Sequence, residues 1–118
     1  MNFTDLEIWK NSHKLSLDIY QETKKFPKSE IFGITSQLQR ASTSISANIA
    51  EGFGRKGNKE FAQFLYQAKG SLYETQNFIF FCKDCGYLSD VKSNQLIDQY
   101  EVLAKMLNSF ISKVKQYG

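Results

Sequence analysis

Apolar residues recur along this chain at steps of three and four, the repeat that gathers side chains on one face of an α-helix, and nothing alternates like a strand. Four segments carry the repeat. The first runs from Asp5 to Phe26, with Thr4 at its N-cap and Glu7 three residues on completing a capping box. On a helical wheel Ile8, Leu15, Ile19 and Phe26 form one apolar stripe, and Leu6, Trp9, His13, Leu17 and Tyr20 form a second, with Ser12, Ser16 and Thr23 between them. An arc that wide suits a helix touching two neighbours. Pro27 then stops the helix, because its ring disfavours helical geometry in the preceding residue.

The second segment takes Ser29 as N-cap and ends at Gly52, with Ile31, Ile34, Leu38, Ala41, Ile45, Asn48 and Gly52 as its seam. Ser42, Ser44, Ser46, Ala47 and Ala50 leave little bulk between them, which marks this as a central helix approached from more than one side. After the turn GFGRKG, a third segment begins near Asn58 with Phe61, Leu65, Ala68, Leu72, Thr75, Ile79 and Cys82 on its seam, and it closes at Gly86, a residue suited to a left-handed C-cap. A fourth starts after Ser89 and carries Ile97, Tyr100, Ala104, Leu107, Ile111 and Val114. The expected fold is all-α, an antiparallel up-down-up-down four-helix bundle forming a single domain over residues 1–118.

Short loops also decide which ends meet. The turn at residues 52–57 shares an end with both chain termini, which gathers Arg55, Lys56, Lys59, Lys113 and Lys115 as a candidate phosphate-binding face. Counting outward from that turn, Ala41 faces Gly70 and Arg40 comes near Glu74. A glycine inside a helix costs about 1 kcal/mol against alanine, so Gly70 is expected where two backbones approach closely. Tyr66, Tyr73 and Phe80 recur every seven residues on a face turned away from the third seam, the expected mark of an oligomer interface. Leu96, Leu103, Phe110 and Tyr117 on the fourth helix either extend that interface or widen the bundle's own core face.

Composition confirms the class and narrows the rest. With 42% hydrophobic, 14% aromatic and 23% charged residues the chain is globular rather than disordered. No apolar run approaches the roughly 20 residues needed to cross a bilayer, and the opening MNFTDLEIWK offers no signal-peptide core, so a cytoplasmic location and no membrane partner are expected. A formal net charge of +3 gives a weak field and does not by itself point to nucleic acid.

Candidate chemistry is sparse. Cys82-Lys83-Asp84-Cys85 has redox-motif spacing, but it falls in the last turn of a helix, where the dipole opposes thiolate formation. Two cysteines and one histidine are too few for a common closed zinc site, so no metal or cofactor is expected. His13 reads as a packed, hydrogen-bonded histidine, with no nucleophile placed beside it. Asn48 reads as a buried polar residue fixing helix register, and Glu51 as a partner for a neighbouring backbone or base. Glu74 lies several turns from Glu51 on the facing helix, so the two cannot cooperate as a carboxylate pair within one subunit, and no catalytic residue is assigned. GFGRKG lacks the Walker spacing and a preceding strand. It is either a solvated turn or, through Arg55, Lys56 and the nearby Lys59, a contact for phosphates.

Several segments together resemble one family: FxxLxIWK (Phe3, Leu6, Ile8, Trp9), QLxRA (Gln37, Leu38, Arg40, Ala41), Ser44, NIAEG (Asn48 to Gly52), FLxxAxGSLxE (Phe64, Leu65, Ala68, Gly70, Ser71, Leu72, Glu74) and GYL (Gly86 to Leu88). They are similar to the four-helix-bundle 23S rRNA intervening-sequence proteins over essentially the whole chain, with NIAEG and GSLxE at this separation the specific part. The resemblance implies a bacterial homopentameric ring of antiparallel bundles. Some members are encoded inside intervening sequences of large-subunit ribosomal RNA genes, and a related protein is the accessory factor of diversity-generating retroelements, which binds nucleic acid and a reverse transcriptase. No catalytic residues are established for the family, and none are carried over. Two functional classes are expected. One is a nucleic-acid or ribonucleoprotein accessory module, engaging structured RNA or DNA at its basic end and a reverse transcriptase or other protein elsewhere. The alternative is a protein-binding scaffold without nucleic-acid affinity.

Overall fold

A computed structural model describes residues 1–117, in four helices: α1 (Glu7–Thr23), α2 (Ile34–Phe53), α3 (Asn58–Asp84) and α4 (Asp90–Gln116). Gly118, the last residue of the expected domain, lies outside the described residues. Cross-helix hydrogen bonds establish the antiparallel order. Gln39 Nε2 donates to Thr23 Oγ1 at 2.9 Å near one end of the α1/α2 pair, while Ser16 Oγ donates to the Ser42 carbonyl at 3.0 Å further along. Lys83 donates to Asn94 near the start of α4, Gln76 to Glu101 midway, and Lys115 to Tyr66 near its end. The result is an up-down-up-down bundle 45 Å long and 24 by 20 Å across.

The four seams meet in one core. Ile8, Leu15, Ile19 and Phe26 of the first segment, the seven-residue seam of α3 apart from half-buried Phe61, and Tyr100, Ala104, Leu107, Ile111 and Val114 of α4 are all buried. Ser89 caps α4 by accepting from the Lys92 amide at 3.1 Å, and Gly86 adopts φ +88° beyond the end of α3, the left-handed geometry that glycine takes without strain. Leu96 and Leu103 are also fully buried in this core, and Phe110 packs edge-on against Phe61 at 5.7 Å. That corrects their expected place in an oligomer interface. These side chains widen the monomer's own core.

Helix starts are less regular than their cap signals. Asn2, not Thr4, provides the first cap: its Oδ1 accepts from the Thr4 amide at 3.0 Å and Asp5 Oδ2 accepts from the Asn2 amide at 2.9 Å, closing a capping box over a short 3-10 turn at Phe3–Asp5. The α-helix begins only at Glu7, with Leu6 at a cap position that has no side-chain bond. Ser29 likewise sits in a 3-10 turn, Lys28–Glu30, and α2 starts at Ile34 after Gly33. Ile31 is therefore half exposed, and Phe32 stands 98% exposed between the turn and the helix. Within α2 the buried positions are Thr35, Leu38, Ala41, Ser42, Ile45, Ile49 and Gly52; Ile49, four residues after Ile45, takes the place expected for Asn48, which is half-buried.

The α2/α3 register also differs from symmetric counting about the turn. Ser71 Oγ donates to Ser44 Oγ at 3.0 Å, and Gly52 lies against Phe61 and Phe64. The pairing has slid by roughly one helical turn, because the two phenylalanines close over the glycine before the antiparallel packing begins. Gly70 is consequently exposed, and a Cβ built there meets nothing within 4 Å. Gly52 is the glycine of close approach: a Cβ there would lie 2.7 Å from the Phe64 Cβ and 2.9 Å from the Phe61 ring.

The two glycines therefore respond oppositely to alanine. Gly70→Ala removes backbone freedom from an open helix position and is expected to stabilise the fold by about 0.5 to 1 kcal/mol. Gly52→Ala forces α2 and α3 apart and is expected to cost about 1 to 3 kcal/mol. Urea unfolding of both variants checks this, and a Gly52→Ala midpoint equal to the parent's would contradict the close approach.

Candidate functional site

Five cations were expected at one end of the bundle, and the structure divides them. Lys59 in the first turn of α3 and Lys115 in the last turn of α4 line one cleft of about 330 Å³ together with Asn58, Ala62, Gln63 and Tyr66. Lys115 Nζ donates to the Tyr66 hydroxyl at 3.2 Å. None of the six lining residues is acidic, and the start of α3 brings the positive end of a helix dipole, offset by Glu60 in the same turn. Lys113 belongs to a different groove, with Lys105, Glu7, Ile8, Met106, Ser109 and Phe110. Arg55 is engaged locally: its guanidinium bonds Glu51 at 2.9 Å and sits 4.8 Å from the centre of the Phe64 ring. Lys56 is exposed on the turn.

Sequence reasoning placed Tyr66 with Tyr73 and Phe80 and left Asn58 and Gln63 out of any site. All three aromatics are about half exposed, so the stripe is real, but Tyr66 is also bonded to a lysine of α4. The signal that joins them is the shared end of two antiparallel helices, visible only once the register is known.

The remaining polar candidates are structural. Asn48 Nδ2 donates to the Ser44 carbonyl at 2.9 Å and its hydroxyl at 3.2 Å, so it ties α2 to itself beside the Ser44–Ser71 contact. Glu51 pairs with Arg55 one turn on. Arg40 and Glu74 line one groove with Phe32, Ser36, Gln37 and Phe78. His13 departs from its expected packing: it is exposed and stacks on Trp9, with ring centres 4.6 Å apart and planes 12° apart. Among the described residues, no group of three or more His, Cys, Asp or Glu is placed to hold a metal ion.

The two cysteines differ sharply. Cys85 is exposed, whereas Cys82 is fully buried, and burial, reinforced by Cys85 and Glu30 nearby, pushes its thiol up to about 12. Tyr100 is pushed up as well, by burial and then by Asp18. The folded state thus holds both protons more tightly than the unfolded chain does. Their contribution is intact below the ordinary thiol value of 9.0 and is lost as pH rises toward 12. Native protein is expected to give one rapid equivalent with a thiol reagent at pH 8, from Cys85, and two when unfolded. Chemical denaturation between pH 8 and 11 should show stability falling with pH, more shallowly in Cys82→Ala relative to its own value at pH 8. Two rapid equivalents in the native state would contradict the burial.

Comparison with known proteins agrees with this architecture. A crystal structure of a protein with unknown function from the S23 ribosomal protein family of Bacteroides thetaiotaomicron VPI-5482 superposes with a TM-score of 0.81 at 22% identity, covering 88% of this chain and 97% of that one. At that identity the likeness concerns the fold. No curated protein matches. The family model described as 23S rRNA-intervening sequence protein matches residues 4–109, which is nearly the whole bundle. The chain belongs to the 23S rRNA-intervening sequence protein family.

Proposed function

We propose that this protein is a non-enzymatic, homo-oligomeric accessory module that binds nucleic acid through the basic end of its bundle. The observation carrying this reading is the α3/α4 cleft, where Lys59 and Lys115 converge with no carboxylate among the lining residues. Lysines at such a site act as point charges on phosphates, with little sequence readout.

Assembly belongs to the same proposal. A chain of net charge +3 has a weak field. Tyr73 and Phe80 on the flank of α3, and Leu17 and Tyr20 on α1, leave apolar surface uncovered on two separate sides of the bundle. Joining one such face to the other on the next copy is a heterologous contact, which makes a ring when the rotation between copies closes. A ring of five copies is what the resemblance to the family implies. Closure repeats the basic cleft around one axis and concentrates its field.

Two measurements test this. In filter binding over a salt series, Lys59→Glu with Lys115→Glu is expected to weaken binding to every sequence alike and to flatten the salt dependence, by roughly 0.7 to 0.9 in slope per lost phosphate contact. No affinity for RNA or DNA even at low salt would favour the protein-scaffold reading. Light scattering at micromolar concentration is expected to return an oligomeric mass, reduced by Tyr73→Glu with Phe80→Glu. A monomeric mass for the parent protein would refute the assembly.

A further inference from the structure

We infer that the α3/α4 cleft captures one unstacked nucleotide of a single strand, with the base against the Tyr66 ring and its phosphate between Lys59 and Lys115. This rests on the nucleic-acid reading above and narrows it, from phosphate contact in general to single-stranded substrate. Three features of the cleft carry the step. It is an open groove of about 330 Å³, within the range that receives a small ligand. Its floor is apolar, from Ala62 and the Tyr66 ring, while the amides of Asn58 and Gln63 bring hydrogen-bond donors and acceptors of the kind a base edge pairs with. Its charge is of one sign, unlike the groove where Glu7 stands among Lys105 and Lys113 or the groove where Glu74 accompanies Arg40; the groove at Lys24 and Lys28 is also free of carboxylates but lies away from the α3/α4 end and its lysines are on the turn after α1.

The Lys115–Tyr66 contact prepares the ring for stacking. The ammonium is 3.2 Å from the phenol oxygen and 5.6 Å from the ring centre. Those two distances keep the ammonium beyond the ring's edge on the hydroxyl side rather than above its centre, so the cation does not cover the middle of the ring face. Tyr66 is 47% exposed. An open aromatic face beside a cation is how sequence-tolerant single-strand binders hold bases, since every base has a π-face. A duplex keeps its bases stacked and can offer this cleft only its phosphates.

Fluorescence anisotropy with three labelled probes of equal length tests the inference: an oligothymidylate, the same backbone with abasic sites throughout, and a DNA duplex. The parent protein is expected to bind the oligothymidylate more tightly than the abasic strand. Tyr66→Ala should lower oligothymidylate affinity about 5- to 140-fold, the range expected for loss of one stacked base, and leave the abasic and duplex affinities unchanged. Tyr66→Phe should retain most of the single-strand affinity, because stacking needs the ring and not the hydroxyl. Equal binding of the oligothymidylate and abasic strands by the parent would overturn base capture while leaving phosphate binding in place. A Tyr66→Ala loss shared by all three probes, or a changed mass in light scattering, would overturn it too, by assigning Tyr66 to charge placement or to assembly. Binding of none of the probes would remove the underlying reading as well.

Discussion

The close approach of α2 to its neighbours is the constraint on which the rest of the bundle depends. On one side Ser16 reaches the Ser42 carbonyl of α2; on the other Ser71 meets Ser44, and Gly52 admits Phe61 and Phe64. Each contact needs a small residue on α2, because a longer side chain would fill the space through which the neighbouring helix passes. The register that these contacts impose positions the start of α3 against the end of α4. The basic cleft lies at that end, between α3 and α4.

Helix count, order, direction and most of the core were legible in the sequence, since they follow from a 3.6-residue period that long helices repeat many times. The seams of α3 and α4 and the caps at Ser89 and Gly86 are clear for that reason. What failed were features read from single residues. Thr4 and Ser29 are good capping residues, but Asn2 competes for the first turn, and Pro27 sends the chain through a 3-10 turn before α2 can start. The choice of Asn48 over Ile49 followed a step of three where the helix takes a step of four, and only burial decides between them. Gly70 misled because its glycine was assigned to packing through a register that turn symmetry does not determine.

The site was half legible. Gathering of cations at one end followed from topology, but the separation of Lys59 and Lys115 from Arg55 and Lys113 did not, because it depends on which local partner each side chain finds. Arg55 has Glu51 one helical turn away and a phenylalanine ring beside it, so its charge is largely satisfied. Such an exposed i,i+4 pair is worth only a few tenths of a kcal/mol, so it biases Arg55 toward Glu51 without locking it there. Leu96 and Leu103 show the converse limit. Apolar residues beside a seam belong to the core or to an interface according to how far round the neighbouring helices reach.

The small side chains of α2 carry a further consequence, for the order in which the chain folds. Serine, threonine, asparagine and glycine are poor helix formers, and here Ser42, Thr43 and Ser46 bond back to carbonyls of their own helix, a pattern that eases bending rather than adding rigidity. On its own α2 has little reason to be helical. Helices α3 and α4, each 27 residues long and joined by a short loop, have the length and local contacts to pair early. The helix packed between α1 and α3 is then expected to acquire its structure last, by docking into a groove that its neighbours have begun to form.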